Sequence, residues 1–355
     1  MRRQGTFTRF KHTALLAAIA ALSLCSCEHK ELCEDHEPHA LRNRVEIVAG
    51  YEQRWEYPAE GGTDWEAAWP GEFGFSYASL NPALPKGLRT VVYNENDIPR
   101  TYNMDVHGGV VPLADGSNDM LLYNNDTEYI VFNDLNSTVT ATATTRTRTR
   151  PSYKGSMFGS SDGTDEVTVT PPDMLYGASV TGYVPCKTID PMPLKVLLTP
   201  LTYTYYVRIE VEKGQEYVAL ARGALAGMAR GVYLTDGSTT DESATVIFDA
   251  EVTGFGAEAS VLSFGAPGWP NSHYRSDGGN GSGRRYALNV EIRLRNGKVL
   301  SFDYDVTDQL RLQPHGGVIR VGGIEISNDD GKGGSGGFDV DVDGWGDYED
   351  IPIDM

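Results

Sequence analysis

Tyr286-Ala-Leu-Asn-Val-Glu-Ile-Arg-Leu-Arg-Asn-Gly-Lys-Val-Leu-Ser-Phe-Asp-Tyr-Asp-Val306 holds two runs in which apolar side chains recur at every second position. Leu288, Val290, Ile292 and Leu294 share one face, as do Leu300, Phe302, Tyr304 and Val306. That period of two belongs to half-buried strands and not to a helix. Asn296-Gly297 between the runs marks a hairpin. A two-residue turn there sets Ile292 opposite Ser301, apolar against polar, and parity rejects it. A three-residue loop of Arg295, Asn296 and Gly297, with the glycine left-handed in a bulge, pairs Ile292 with Leu300, Val290 with Phe302 and Leu288 with Tyr304.

The same signal extends in both directions. Val318 to Ile326 reads as a further strand, and Leu194 to Leu198 as a core strand. From Tyr203 to Glu212, Tyr205, Val207, Ile209 and Val211 face one way and Tyr206, Arg208, Glu210 and Glu212 the other, a sheet with one wet face. Earlier strands are expected at Val45–Ala49, Leu88–Tyr93, Gly109–Leu113, Met120–Tyr123 and Glu128–Phe132, with a weaker Thr-rich one between Thr138 and Thr149. Only Ala219 to Ala229, rich in small residues, suggests a short helix. With 40 glycines and 19 tyrosines, the 355-residue chain reads as all-β with many turns. Its length suits two domains. The polar run Pro151–Asp165 suggests the division, giving an N-terminal β-sandwich over residues 44–160 and a C-terminal one over 161–327. Residues 328–355 form a glycine-rich linker and an acidic, alternating C-terminal strand.

The chain begins with Arg2, Arg3, Arg9 and Lys11, then an apolar run from Ala14 to Leu24, too short for a lasting transmembrane helix but of signal-peptide length. Leu24-Cys25-Ser26-Cys27 resembles a bacterial lipobox, with Cys27 the better acceptor because Leu24 is too bulky for the position before a cut at Cys25. Residues 1–26 are thus expected to be a lipoprotein signal peptide and 27–43 a charged tether. A diacylglycerol on Cys27 binds a membrane with roughly 0.8 kcal/mol per buried methylene. His29, Cys33, His36 and His39 have zinc-like spacing, but a tether is a poor cage. Cys33 and Cys186 remain for pairing in an oxidising compartment.

A formal net charge of -19 opposes nucleic-acid binding. The basic run Arg146-Thr-Arg-Thr-Arg150 reads as a solvated strand edge or loop. Gly159-Ser-Ser-Asp-Gly163 fits a nucleophile elbow around Ser161 in letters only, since that motif needs a strand before it and a helix after. No other catalytic motif is visible, so no enzyme is expected and no cofactor beyond the lipid on Cys27. Asp339, Asp341, Asp343, Asp347 and Asp350 match ligand positions of a calcium loop without its flanking helices. Phe338, Val340 and Val342 alternate with them as a strand, which must pair either with its own sheet or with a neighbour.

Several stretches together point further: Cys27-Glu-His-Lys-Glu-Leu-Cys-Glu-Asp-His, Tyr123-Asn-Asn-Asp-Thr-Glu-Tyr, Pro172-Asp-Met-Leu-Tyr-Gly, Arg230-Gly-Val-Tyr-Leu and His315-Gly-Gly-Val-Ile-Arg-Val-Gly-Gly-Ile-Glu-Ile. Their order resembles an uncharacterised, domain-of-unknown-function family of fimbrillin-like lipoproteins of the Bacteroidales. The resemblance implies two tandem transthyretin-like or Ig-like β-sandwich domains, display at the cell outer membrane, and other fimbrial subunits as partners joined by β-strand addition. In related pilins an arginine-specific protease removes the leader and an early strand; Arg42, Arg44 and Arg54 lie near such a place here. Phe338, Val340 and Val342 are then candidate donor residues. The alternative is an outer-membrane glycan-binding lipoprotein using Trp55, Trp65, Trp69 and Trp269. Clustering of those rings on an exposed face favours glycan, and burial favours the structural role.

Overall fold

A computed structural model describes residues 41–95, 97–159, 166–268, 283–332, 344–345 and 349–350. In chain order the strands are β1 (Arg42–Tyr51), β2 (Leu88–Asn94), β3 (Asp97–Met104), β4 (Gly108–Pro112), β5 (Asn118–Asn124), β6 (Ile130–Asn133), β7 (Thr142–Thr145), β8 (Arg148–Thr149), β9 (Val167–Val169), β10 (Tyr176–Tyr183), β11 (Lys187–Thr188) and β12 (Met192–Pro200). There follow β13 (Tyr203–Lys213), β14 (Val218–Ala229), β15 (Gly231–Tyr233), β16 (Ser243–Thr253), β17 (Gly256–Ser263), β18 (Ala287–Leu294), β19 (Val299–Asp305), β20 (Gly317–Glu325) and β21 (Glu349–Asp350). The helices among the described residues are single turns, such as Trp65–Ala68 and Thr307–Leu310. The chain is nearly all β, as its alternation requires, and its two large curled sheets form sandwich-like or barrel-like halves.

The first sheet runs β11-β1-β12-β10-β5-β2-β3, with β4 also on β1, and the second runs β19-β18-β14-β16-β17-β13-β20, with β9 on β16. The chain crosses between the sheets more than once: β9 joins the second sheet, and after the return to the first the last passage falls between Pro200 and Tyr203. β10, β11 and β12 return to the first sheet, where β12 lies parallel to β1 with Val45 opposite Met192 and Ile47 opposite Leu194. A parallel return across so many residues leaves no local mark in sequence.

Strands β2 and β5 show why the apolar runs are continuous there. Leu88, Val92, Met120 and Leu122 enter the core of the first sheet with Val45, Ile47 and Leu198. The alternate residues Val91, Leu121 and Tyr123 enter a second core with Val232, Leu234 and Phe264. A small sheet, β15-β7-β6, contributes to that second core, so both faces of β2 and β5 are covered.

The largest core lies in the second sheet. Tyr205, Val207, Ile209 and Val211 of β13 meet Leu288, Val290, Ile292 and Leu294 of β18 there. The β18–β19 hairpin has the expected register: Ile292 stands across from Leu300, Val290 from Phe302 and Leu288 from Tyr304. Gly297 closes it at φ +85°, and Leu294 N–H donates to Lys298 O at 2.8 Å.

Ala219–Ala229 corrects the expected helix, because it lies within β14 between β16 and β18. Its small residues answer a packing demand. A Cβ on Gly223 would sit 2.2 Å from the Phe248 ring, so the ring needs bare backbone to lie across. At Gly227, φ is +90°, and the pairing with β16 shifts between Leu225 and Met228 as in a bulge.

Candidate assembly surfaces

Three places on the described chain bear on how it meets other molecules: strand β1, an aromatic cover over the second sheet, and the seat of the C-terminal tail. β1 is held on both sides, by β12 in parallel and by β4 antiparallel, where Val45 faces Val111 and Ile47 faces Gly109. Val45 and Ile47 are buried and Glu46 and Val48 point outward, the alternation of a strand that fills a slot. The approach of β4 is close: a Cβ on Gly108, which has φ +109°, would sit 2.0 Å from Ile47 O. The Arg44 guanidinium donates to Ile189 O at 2.5 Å, and Arg54 lies 5.1 Å from the Tyr57 ring.

The aromatic residues between Trp55 and Leu80 fold over the outer face of β13 and β20 and make a small core with Tyr206 and Val318. Trp55 and Trp69 are 1% and 2% exposed and meet edge-to-face with centroids 5.7 Å apart. Phe73 meets Tyr206 at 5.3 Å and 90°. The indole N–H of Trp69 donates to Phe75 O at 2.8 Å, and that of Trp65 to Gln313 Oε1 at 2.9 Å. These rings therefore shield Tyr206, the first residue of the face that alternation alone marks as wet. Trp65 is half-buried, and Trp269 lies outside the described residues.

The tail touches the second sheet at described points. Arg293 Nη1 donates to Gly344 O at 3.3 Å, and the Arg222 guanidinium lies 3.8 Å from the Trp345 ring centroid. β21 pairs antiparallel with β8, Glu349 opposite Thr149 and Asp350 opposite Arg148. Beneath Trp345 is a buried charge cluster. Glu291 accepts from Arg222 at 2.8 Å and lies 3.9 Å from Arg150, which itself donates to Asn289 Oδ1 at 2.6 Å. Arg222 Nη2 also donates to Ser152 Oγ at 2.8 Å. Sequence reasoning placed Arg150 on a solvated edge, but here it is 3% exposed. Buried cations need partners, and Arg222 and Glu291 occupy facing positions of β14 and β18.

Cys27, Cys33, Ser161, Phe338, Val340, Val342, Asp339, Asp341, Asp343 and Asp347 lie outside the described residues. Of the candidate calcium ligands, Asp350 alone is placed, in β21. Among the described residues no group of three or more His, Cys, Asp or Glu is arranged to hold a metal ion. No described helix is long and apolar enough to cross a membrane. Cys186 is exposed. His315 is half-buried and stacks on the Tyr203 ring, 4.3 Å away, and desolvation there pulls its pKa down to about 4.

Residues 73–249 match the profile of a domain of unknown function, DUF5119. Across 98% of this chain and 98% of the other, the sequence is 23% identical to a protein of Bacteroides ovatus described as "Putative fimbrium anchoring subunit Fim4B". A crystal structure of a "putative adhesin" from Bacteroides ovatus superposes with a TM-score of 0.52 at 20% identity, covering 86% of this chain and 95% of that one. The fimbrial anchor protein Mfa2 from Porphyromonas gingivalis aligns at a TM-score of 0.40 and 13% identity, over 79% of this chain and 90% of that one. The resemblance read in the sequence thus meets a domain-of-unknown-function match and homology to a fimbrium anchoring subunit.

Proposed function

We propose that this chain, homologous from end to end to a fimbrium anchoring subunit, is a non-enzymatic lipoprotein of the cell outer membrane, tethered through lipid on Cys27. There it serves as an anchor or accessory subunit of a fimbria, within the fimbrial or adhesin-like structural role that its relatives support. The observation that carries the reading is that collinearity over 98% of both chains.

The geometry of β1 gives the reading its physical form. A cut after Arg54 would release β1 and open a slot between β12 and β4, lined by Val111, Val196 and Leu198. A neighbour's alternating strand would recover both the backbone hydrogen bonds and the apolar burial. Phe338, Val340 and Val342 have the alternation such a donor needs. Arg44 supports the uncut state, because its backbone is paired with β4 and its guanidinium is engaged at Ile189 O. An uncut subunit stays joined to its lipid, which is what an anchor requires.

The glycan reading finds less support, since Trp55 and Trp69 are occupied in packing. Mass spectrometry of the mature chain from native membranes tests the proposal. A first residue Cys27 carrying acyl groups, in material that co-isolates with fimbriae, is expected. An unacylated chain starting elsewhere would overturn it.

A further inference from the structure

The first sheet has one end that lies opposite the Pro200–Tyr203 passage into the second sheet. The start of β1, the β2–β3 turn, the β4–β5 loop and the segment around β11 all gather there. Register brings them together: Asn94 stands opposite both Asp97 and Asn118, Asn118 opposite Tyr183, and Val45 opposite Met192. Side chains then fasten the loops to one another. Asn94 Nδ2 donates to Ser117 O at 2.9 Å, Asn118 Nδ2 to Gly116 O at 3.0 Å, and Asn43 Nδ2 to Asp115 Oδ1 at 2.7 Å. Lys187 Nζ lies 3.1 Å from Asp115 Oδ1.

From this fastened end four aliphatic side chains project into solvent: Ile98, Val184, Ile189 and Met192, between 48% and 81% exposed. Single exposed aliphatics need no explanation, but four at one end of a sheet do, two at the starts of β3 and β12 and two beside β11. They stand apart, with polar residues between them, so they do not form the continuous flat patch of a protein–protein contact. Isolated aliphatics on firmly held strand ends and loops suit a surface that yields around each one.

We propose that this end rests on the lipid bilayer, with Ile98, Val184, Ile189 and Met192 entering its interface. The choice of occupant rests on the reading of Cys27 as the lipid anchor, while the exposed end itself is read from the fold. Chain connectivity selects the lipid surface as occupant, because β1 starts at this end and the fourteen residues Glu28 to Leu41 span at most about 50 Å. The opposite end of the sheet continues through Pro200 and Tyr203 into the second sheet, so contact through this end would hold the second sheet away from the membrane. A net charge of -19 disfavours a strongly anionic surface, so a zwitterionic bilayer is the appropriate probe.

Cys186 lies within this end and is exposed, which makes it a native reporter. The acylated Cys33→Ser chain, labelled at Cys186 with an environment-sensitive dye, is bound to phosphatidylcholine vesicles containing lipids spin-labelled near the headgroup. Quenching at least twofold greater than for a label at Lys298→Cys, in a chain also carrying Cys186→Ser, is expected. The variant Ile98→Ser/Val184→Ser/Ile189→Ser should lose that excess while its unfolding midpoint holds. A chain tethered instead by a histidine tag at residue 27 on nickel-chelating lipid separates the two readings. Quenching there, with no acyl group found on the native chain, overturns the lipidation and keeps this inference. Equal quenching at Cys186 and position 298 on both tethers overturns the inference.

Discussion

Arg222 Nη2 lies 2.8 Å from Glu291 Oε2, across facing strands β14 and β18, with both side chains almost wholly removed from solvent. A pair this deep is weak evidence for net stability, since desolvation offsets much of the attraction. Its value shows when one member is removed. Glu291→Ala should lower unfolding free energy by about 3–5 kcal/mol, because the buried guanidinium groups of Arg222 and Arg150 then lose the carboxylate they share. The double variant Arg222→Met/Glu291→Leu should recover much of that loss in urea denaturation. A single variant within about 0.5 kcal/mol of the parent would show the cluster to be solvated.

Trp345 covers Arg222 and supplies one of the tail's holds on the second sheet. A desolvated cation–π contact contributes about 2 kcal/mol. Replacing Trp345 by Ala should therefore release the tail more than it destabilises the sheet. Limited proteolysis beyond Lys332 is expected to accelerate several-fold while the main unfolding midpoint moves little. Unchanged cleavage would show that the tail is held by its other contacts alone.

His315 provides a pH dependence with a definite sign. Its folded pKa of about 4 is below the ordinary 6.5, because burial disfavours the imidazolium. Between those values the unfolded chain binds the extra proton, so stability falls as pH drops from 6.5 to 4. The slope approaches about 1.4 kcal/mol per pH unit, and the total loss is of order 3 kcal/mol. His315→Phe keeps a ring against Tyr203 and should remove this component. Comparing parent and variant by chemical denaturation from pH 7 to pH 4 measures it; parallel curves would contradict the assignment.

Gly297 isolates a backbone effect. Nothing lies within 4 Å of the place a Cβ would take, yet φ is +85°. Gly297→Ala should thus cost about 1 kcal/mol from conformation alone, and Gly297→Asn less, since asparagine tolerates the left-handed region. Equal stability of all three in thermal unfolding would rule out the bulged loop in solution.

The hairpin was fully legible in the sequence because each element of its register is local: the period of two, the parity of the loop and the glycine that permits it. The small-residue run Ala219–Ala229 was misread for the opposite reason. Its meaning lies in Phe248, which crosses Gly223 from a neighbouring strand and leaves no trace near residue 223. The aromatics from Trp55 to Tyr77 were visible as a group, but burial over Tyr206 depends on a sheet face built more than a hundred residues later.

By itself the sequence determined an all-β chain, since alternation and turn glycines are short-range chemistry. Tertiary structure alone decided that β12 returns parallel to β1, that Arg150 and Arg222 share Glu291 in a buried cluster, and that four aliphatics project from one end. Each of these joins residues far apart in the chain, and which distant strands meet is set by the packing of the whole, not by any local preference.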